Sequence, residues 1–186
     1  MAHQNNFPFV LKTTAAITAV ITLVLVRLHH FFPLSWLFSA AISTATTCYH
    51  FTMRLAVGYT VPLLVPPSAA TAVWFRPRTF EDKLYRTLKV KRWKDHMPTY
   101  DPTSFSLKHN SLEQIVYNSC VSEAVHEVIV LFSFVPLFFV LLWGAFPVFL
   151  ITSIFAAAFD SCFIMIQRYN RPRLIRILSK KEANGL

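Results

Sequence analysis

Apolar residues in this chain gather into four long runs, at about 11–31, 34–53, 125–144 and 146–166. A bilayer's hydrocarbon core is about 30 Å thick, so a spanning helix needs roughly 20 mostly apolar residues. Each run is close to that length and reads as a transmembrane helix. The first is short, with Lys12 near its start, and looks superficially like a signal peptide. It leads into Arg27-Leu28-His29-His30-Phe31-Phe32-Pro33 and shows no small-residue cleavage site, so we expect it to stay as a helix.

Between the second and third runs the pattern changes. Pro62, Pro66 and Pro67 interrupt an apolar stretch, and three prolines so close together are expected to exclude a helix. That piece, about 57–72, reads as an interfacial or re-entrant connector. Further on, Phe80, Leu84 and Leu88 recur every four residues, with Lys83, Arg86 and Lys89 off that stripe. Thr79 and Asp82 have capping-box spacing. The pattern predicts a short amphipathic helix lying in the cytoplasmic membrane surface, with Trp74, Tyr85 and Trp93 at headgroup level. Residues 99–111 are polar and read as a loop.

Within the apolar runs, polar residues form stripes. Helix 2 carries Ser39, Ser43, Thr47, His50 and Arg54 at intervals of four. Helix 3 opens with Ser119, Ser122, Glu123 and His126. Helix 4 carries Ser153, Asp160 and Gln167 at intervals of seven. A charge facing lipid costs roughly 2.5–3.5 kcal/mol on the insertion scale, so the stripes are expected to face one another.

Charge gives the orientation. The chain has 18 Lys and Arg against nine Asp and Glu, a formal net charge of +9. Such a balance would suggest nucleic acid in a soluble protein. Here all basic residues except Arg27 fall at the start of helix 1, in the 54–118 loop, or in the 168–186 tail. The positive-inside rule explains that pattern without nucleic acid and sets both termini in the cytoplasm of a multi-pass cell-membrane protein. The whole chain, 1–186, reads as a single all-α membrane domain. Cys48, Cys120 and Cys162 have no pairing or metal spacing and read as small apolar fillers. With three glycines, no phosphate-cradling glycine loop can be built.

Glu123 and His126 lie one helical turn apart, and a carboxylate can orient an imidazole for general-base work. Packing at a helix end is the simpler reading of the same pair. Di-iron bundles use Glu-x-x-His twice with further Glu; here it occurs once, and no metal is expected. His50 and Arg54 could bind an anion together, or Arg54 could reach the headgroups. Asp160 suits either a buried ion pair or an acid/base. Lys91, Arg92, Trp93 and Lys94 could receive a donor's phosphates or rest on anionic lipid. The cluster Gln167, Arg168, Tyr169, Asn170, Arg171 and Arg173 has the same two readings. Pro172 is expected to end the helix there and fix a turn.

Four blocks carry a resemblance: YHFTMRLAVG at 49–58, FEDKLYRTLKVKRWKDHMP at 80–98, SEAVHEV at 122–128 and QRYNRPRL at 167–174. Together they resemble the glycosyl-4,4'-diaponeurosporenoate acyltransferase family of bacterial membrane proteins, linked to staphyloxanthin-type carotenoid synthesis. Where the family often has Asn and then Pro ahead of its last block, this chain has Asp160 and Cys162. The resemblance implies transfer of a fatty acyl group to a hydroxyl of a glycosylated lipid or carotenoid. It brings with it His50, Arg54, Glu123, His126 and the residues of 167–173, without assigning their roles.

The combined expectation is a membrane O-acyltransferase with no bound cofactor. His126, oriented by Glu123, would take the proton of the acceptor hydroxyl, with Asp160 as a further candidate acid/base. Arg54 with Arg168 or Arg171 would stabilise developing charge or hold donor phosphates. Acyl-CoA or an acyl carrier protein would be the co-substrate, and membrane lipid the surroundings. The rivals are another lipid-modifying transferase or hydrolase, and a non-catalytic scaffold of a lipid-synthesis complex.

Overall fold

The computed structural model describes residues 6–183. Among these it is all-helical, with no strand. The α-helices are α1 (Phe7–Phe31), α2 (Ser35–Leu64), α3 (Glu81–Thr87), α4 (Val90–Trp93), α5 (Leu112–Phe132), α6 (Val140–Trp143) and α7 (Phe146–Ala183), with short 3-10 turns between several of them. The described residues fall into two compact units. One comprises 60–127 and 161–183, the other Asn6–Tyr59 and Val128–Asp160.

Three helical stretches are long and apolar enough to cross a membrane, not four: Phe7–Phe31, Leu112–Trp143 and Phe146–Ala183. The exception is α2, because its stripe of Ser, Thr, His and Arg lowers its hydropathy. Most of those hydroxyls are answered within the helix. Ser43 donates to Ser39 O at 2.9 Å, Thr46 to Ile42 O at 2.8 Å and Thr47 to Ser43 O at 2.9 Å. Back-bonding of this kind is the usual way a helix carries Ser and Thr in apolar surroundings. In its own unit α2 runs antiparallel to α1. Thr22 donates to Thr44 Oγ1 at 3.0 Å, while the Cys48 thiol points to Ala15 O at 3.7 Å.

The prolines act differently from the expectation. Pro62 lies inside α2, which continues to Leu64, and Pro172 lies inside α7, which continues to Ala183. Pro62 is two residues from its helix end, so only one backbone bond is forgone. Pro172 follows Arg168 and Arg171, whose side-chain contacts, described below, hold α7. Pro136 does break its helix: α5 ends at Phe132 and a 3-10 turn, Val135–Phe139, follows. A proline cannot donate to the carbonyl four residues back. That carbonyl, Phe132 O, instead accepts from the Tyr49 phenol at 2.9 Å.

The segment expected to form the surface helix is short. α3 has seven residues, and no side chain caps its N-terminus. Phe80, Leu84 and Leu88, the apolar stripe, are exposed. The face that packs inward is Glu81 and Tyr85, an i,i+4 pair. Lys89 adopts the left-handed conformation (φ 51°), which separates α3 from α4. In the following loop Asp101 caps the 3-10 turn Pro102–Phe105, and hydrogen bonds from Ser104 and Thr103 hold its carboxyl below the usual range.

Candidate functional site

The first unit is organised around Glu123. It is fully buried on α5, with Ser119 one turn before it. α7 presents Arg168 and Arg171, three residues apart and so on one face. Arg168 Nη1 donates to Glu123 Oε1 and Arg171 Nη2 to Glu123 Oε2, each at 2.5 Å. Arg171 also donates through Nε to Ser119 Oγ at 2.8 Å and through Nη1 to Phe75 O at 3.1 Å. Arg168 donates to Glu81 Oε1 from Nε at 2.7 Å, and to the carbonyls of Trp74 and Arg76. The result is two arginines, two glutamates and three consecutive carbonyls in one network. A buried charge is tolerable only when paired and hydrogen-bonded in this way.

Several neighbours close around the network. The Tyr85 phenol donates to Glu81 Oε2 at 3.1 Å; burial, and then the Glu81 carboxylate, push that phenol above its ordinary range. Trp74 donates to both Glu127 oxygens, at 3.1 and 2.9 Å. Tyr169 meets Tyr85 edge-on, and the Arg173 guanidinium lies 3.7 Å over the Tyr169 ring.

His126 is half-buried on the same helix, its ring stacked on Phe163 at 4.5 Å with an interplanar angle of 8°. Glu123 thus places each carboxylate oxygen on an arginine, and the His126 ring lies against Phe163. Gln167 is buried, Tyr169 and Asn170 half-buried, and Arg173 exposed. On α4 and just beyond it, Lys91 and Arg92 are exposed and Trp93 and Lys94 half-buried. The Trp93 indole donates to Leu88 O at 3.0 Å, and Lys94 pairs with Asp95 at 2.7 Å.

His50, Arg54 and Asp160 belong to the other unit. The Arg54 guanidinium donates to the Asp160 carboxylate and to Ala156 O at 3.3 Å, and to His50 O, one turn back, at 2.9 Å. Asp160 is 1% exposed. The structure therefore joins Arg54 to Asp160 on facing helices, as one of the two sequence readings required.

Glu81, Trp74 and the 74–76 carbonyls were not foreseen. Glu81 carries a faint signal, an acid four residues before a tyrosine in a basic stretch. The carbonyls carry none, because a backbone acceptor leaves no trace in residue identity.

No curated protein and no solved structure matches this chain. The model of one family does, over residues 71–180, more than half of the chain. That span holds the Glu81–Arg168–Glu123–Arg171 network, His126, Asp160 and the α4 basic residues. The chain belongs to the glycosyl-4,4'-diaponeurosporenoate acyltransferase family.

Proposed function

We propose that this protein is a membrane acyltransferase that esterifies a hydroxyl of a glycosylated lipid or carotenoid with a fatty acyl group. The family match over 71–180 is the observation that carries the reading. The three apolar helices fit a lipid-borne acceptor. We take the location to be the cell membrane, with the basic loop and tail on the cytoplasmic side, where acyl-CoA or an acyl carrier protein is found.

His126 is the candidate general base. It is half-buried rather than sealed, so an acceptor hydroxyl can reach it, and Phe163 fixes its ring plane. Glu123, Arg168 and Arg171 act by position: they lock α5, α7 and the 74–76 segment so that His126 stands at a fixed place on a rigid turn. Asp160, paired with Arg54, has a similar holding role in its own unit. Lys91, Arg92 and Arg173 are the cations best exposed to draw in a phosphate-bearing or acidic donor, with Trp93 and Lys94 at their flank.

General-base catalysis contributes about 10²- to 10⁴-fold, so His126→Ala should lower acyl transfer by that factor. The assay is purified protein in detergent with labelled acyl-CoA and a glycolipid extract, followed by product identification. A His126→Ala protein with undiminished transfer removes the assignment. A product other than an acylated lipid hydroxyl, or none, removes the reaction.

A further inference from the structure

Three glutamates meet the 74–76 segment, two of them through arginines. Glu123 pairs with Arg168 and Arg171, and Glu81 with Arg168. Glu127 has no cation of its own among the described residues. Its carboxylate receives one indole N–H, from Trp74, shared between its oxygens at 3.1 and 2.9 Å. Glu127 is half-buried, whereas Glu123 is sealed. A carboxylate offers about four lone-pair sites, so Glu127 keeps room for further donors. A charge partly withdrawn from water is stable where such donors are found.

The indole beside it is fixed and accessible. Trp74 is 57% exposed, yet it is tied down at both ends. Its carbonyl accepts from Arg168 at 3.3 Å, and its N–H edge abuts Glu127. The carboxylate therefore lies at the rim of an aromatic plate. The Arg78 guanidinium stands over that plate, 5.5 Å from the ring centroid. Register brings the pair to His126. Glu127 follows His126 directly on α5, and the two side chains leave the helix about 100° apart, on either side of the line through Glu123 one turn earlier.

These features select a class of ligand. An anion is repelled by Glu127. A cation over the indole meets the Arg78 guanidinium already there. A neutral ligand with an apolar face and hydroxyls around its edge meets neither obstacle. A pyranose sugar has that form, because its axial C–H bonds make an apolar face and its equatorial hydroxyls radiate near the ring plane. Laid flat on the indole, it directs those hydroxyls past the rim and toward the carboxylate.

We propose that Trp74 and Glu127 form the subsite for the sugar of the glycosylated acceptor. Trp74 carries the C–H face, and Glu127 accepts hydrogen bonds from neighbouring hydroxyls. The hydroxyl to be esterified is then presented to His126, at the adjoining position of α5. Trp74 and Glu127 make no bond to the acyl group; they decide which hydroxyl meets the base. The sugar's place beside His126 rests on the acyl-transfer reading, whereas the sugar site itself is tested without it.

Binding of radiolabelled dodecyl β-glucoside and dodecanol to the full-length protein in a polyoxyethylene detergent, with no acyl donor, provides that test. The glucoside should bind saturably and at least about tenfold more tightly than the alcohol, as a site that hydrogen-bonds its ligand's hydroxyls requires. Glu127→Gln keeps the shape and loses the charge. It should lower that ratio at least about threefold, because charge-assisted hydrogen bonds are about twice as strong as neutral ones. Trp74→Leu, which removes the plate, should lower it by a similar factor. A purely structural role would weaken both ligands together and leave the ratio unchanged. Thermal unfolding confirms that each variant is folded, and Glu127→Gln is mild enough to stand alone if Trp74→Leu is not. Equal binding of glucoside and alcohol by the natural protein overturns the proposal, as does an unchanged ratio in Glu127→Gln. Tighter binding of dodecyltrimethylammonium than of the glucoside overturns it too, by giving the pair to a cation. A glucoside preference that depends on Glu127, in a protein that forms no acylated product, keeps the subsite and removes the transfer reading. Acyl transfer without that preference does the reverse.

Discussion

Glu123 is the residue whose surroundings most changed its meaning. Its spacing from His126 was visible in the sequence, as was its place in an apolar run. Its partners were not, since Arg168 and Arg171 are 45 and 48 positions away and only the packing of α5 on α7 brings them near. By sequence the two arginines suit a donor's phosphates or lipid headgroups, because a sequence shows a charge but not what neutralises it. With Glu123 fully buried between them, removing its charge leaves Arg171 without a carboxylate and Arg168 with Glu81 alone. Breaking a buried pair in this way typically costs about 3–5 kcal/mol. Glu123→Gln should therefore unfold at markedly lower temperature in detergent. Arg173→Ala, which removes an exposed cation stacked on Tyr169, should stay close to the natural protein. Equal stabilities would mean that the network is not what holds these elements together.

At the level of elements, the existence of helices was legible and their ends were not. The four expected runs correspond to α1, α2, the α5–α6 stretch and α7, but α2 extends 11 residues past position 53 and α7 17 past 166. Both helices run on through a proline, Pro62 in α2 and Pro172 in α7. At Pro62 one lost bond near a helix end is a small penalty, and around Pro172 the contacts of Arg168 and Arg171 hold the helix. At Pro136, where Tyr49 takes up the orphaned carbonyl, the helix does end, as it does ahead of Pro66 and Pro67. In the segment after α2, periodicity gives the stripe Phe80, Leu84 and Leu88, which is exposed, while the pairing of Glu81 with Arg168 turns the neighbouring Glu81–Tyr85 face inward. Between α2 and α7 the Arg54–Asp160 pair offers a clean separation of structure from chemistry. Asp160→Leu alone leaves Arg54 unpaired and should destabilise the protein strongly. Arg54→Leu with Asp160→Leu should recover most of that loss, since well-packed apolar replacements of buried pairs are often neutral or stabilising. If the double variant is stable and transfers acyl groups, Asp160 is a positioning residue. If it is stable and inert, Asp160 takes part in the reaction.

For the whole molecule, charge and apolarity are divided between the two units. All basic residues but Lys12, Arg27 and Arg54 fall in the unit made of 60–127 and 161–183. The other unit holds α1 and most of the exposed apolar side chains, including Val20, Leu23, Leu141 and Phe155. A unit with so much apolar surface needs lipid around it, and one so basic is attracted to an anionic cytoplasmic leaflet. This division was readable from residue order, because both signals are compositional. The number of crossings was not. α2 is too polar by composition to count as a span, yet it runs antiparallel to α1 and hydrogen-bonds to it at Thr22–Thr44. The side on which the tail lies settles the parity. Cysteine labelling in intact cells, with Cys48, Cys120 and Cys162 replaced by alanine, reads it directly. Leu34→Cys, between α1 and α2, should react with an impermeant maleimide from outside. Ser179→Cys, near the end of α7, should react only after the membrane is opened. That pair of results requires α2 to return through the bilayer alongside α1, with its hydroxyls spent on its own backbone and its arginine on Asp160. Outside labelling at Ser179→Cys would instead leave three crossings, put the basic tail outside, and remove the cytoplasmic donor from reach of Arg173.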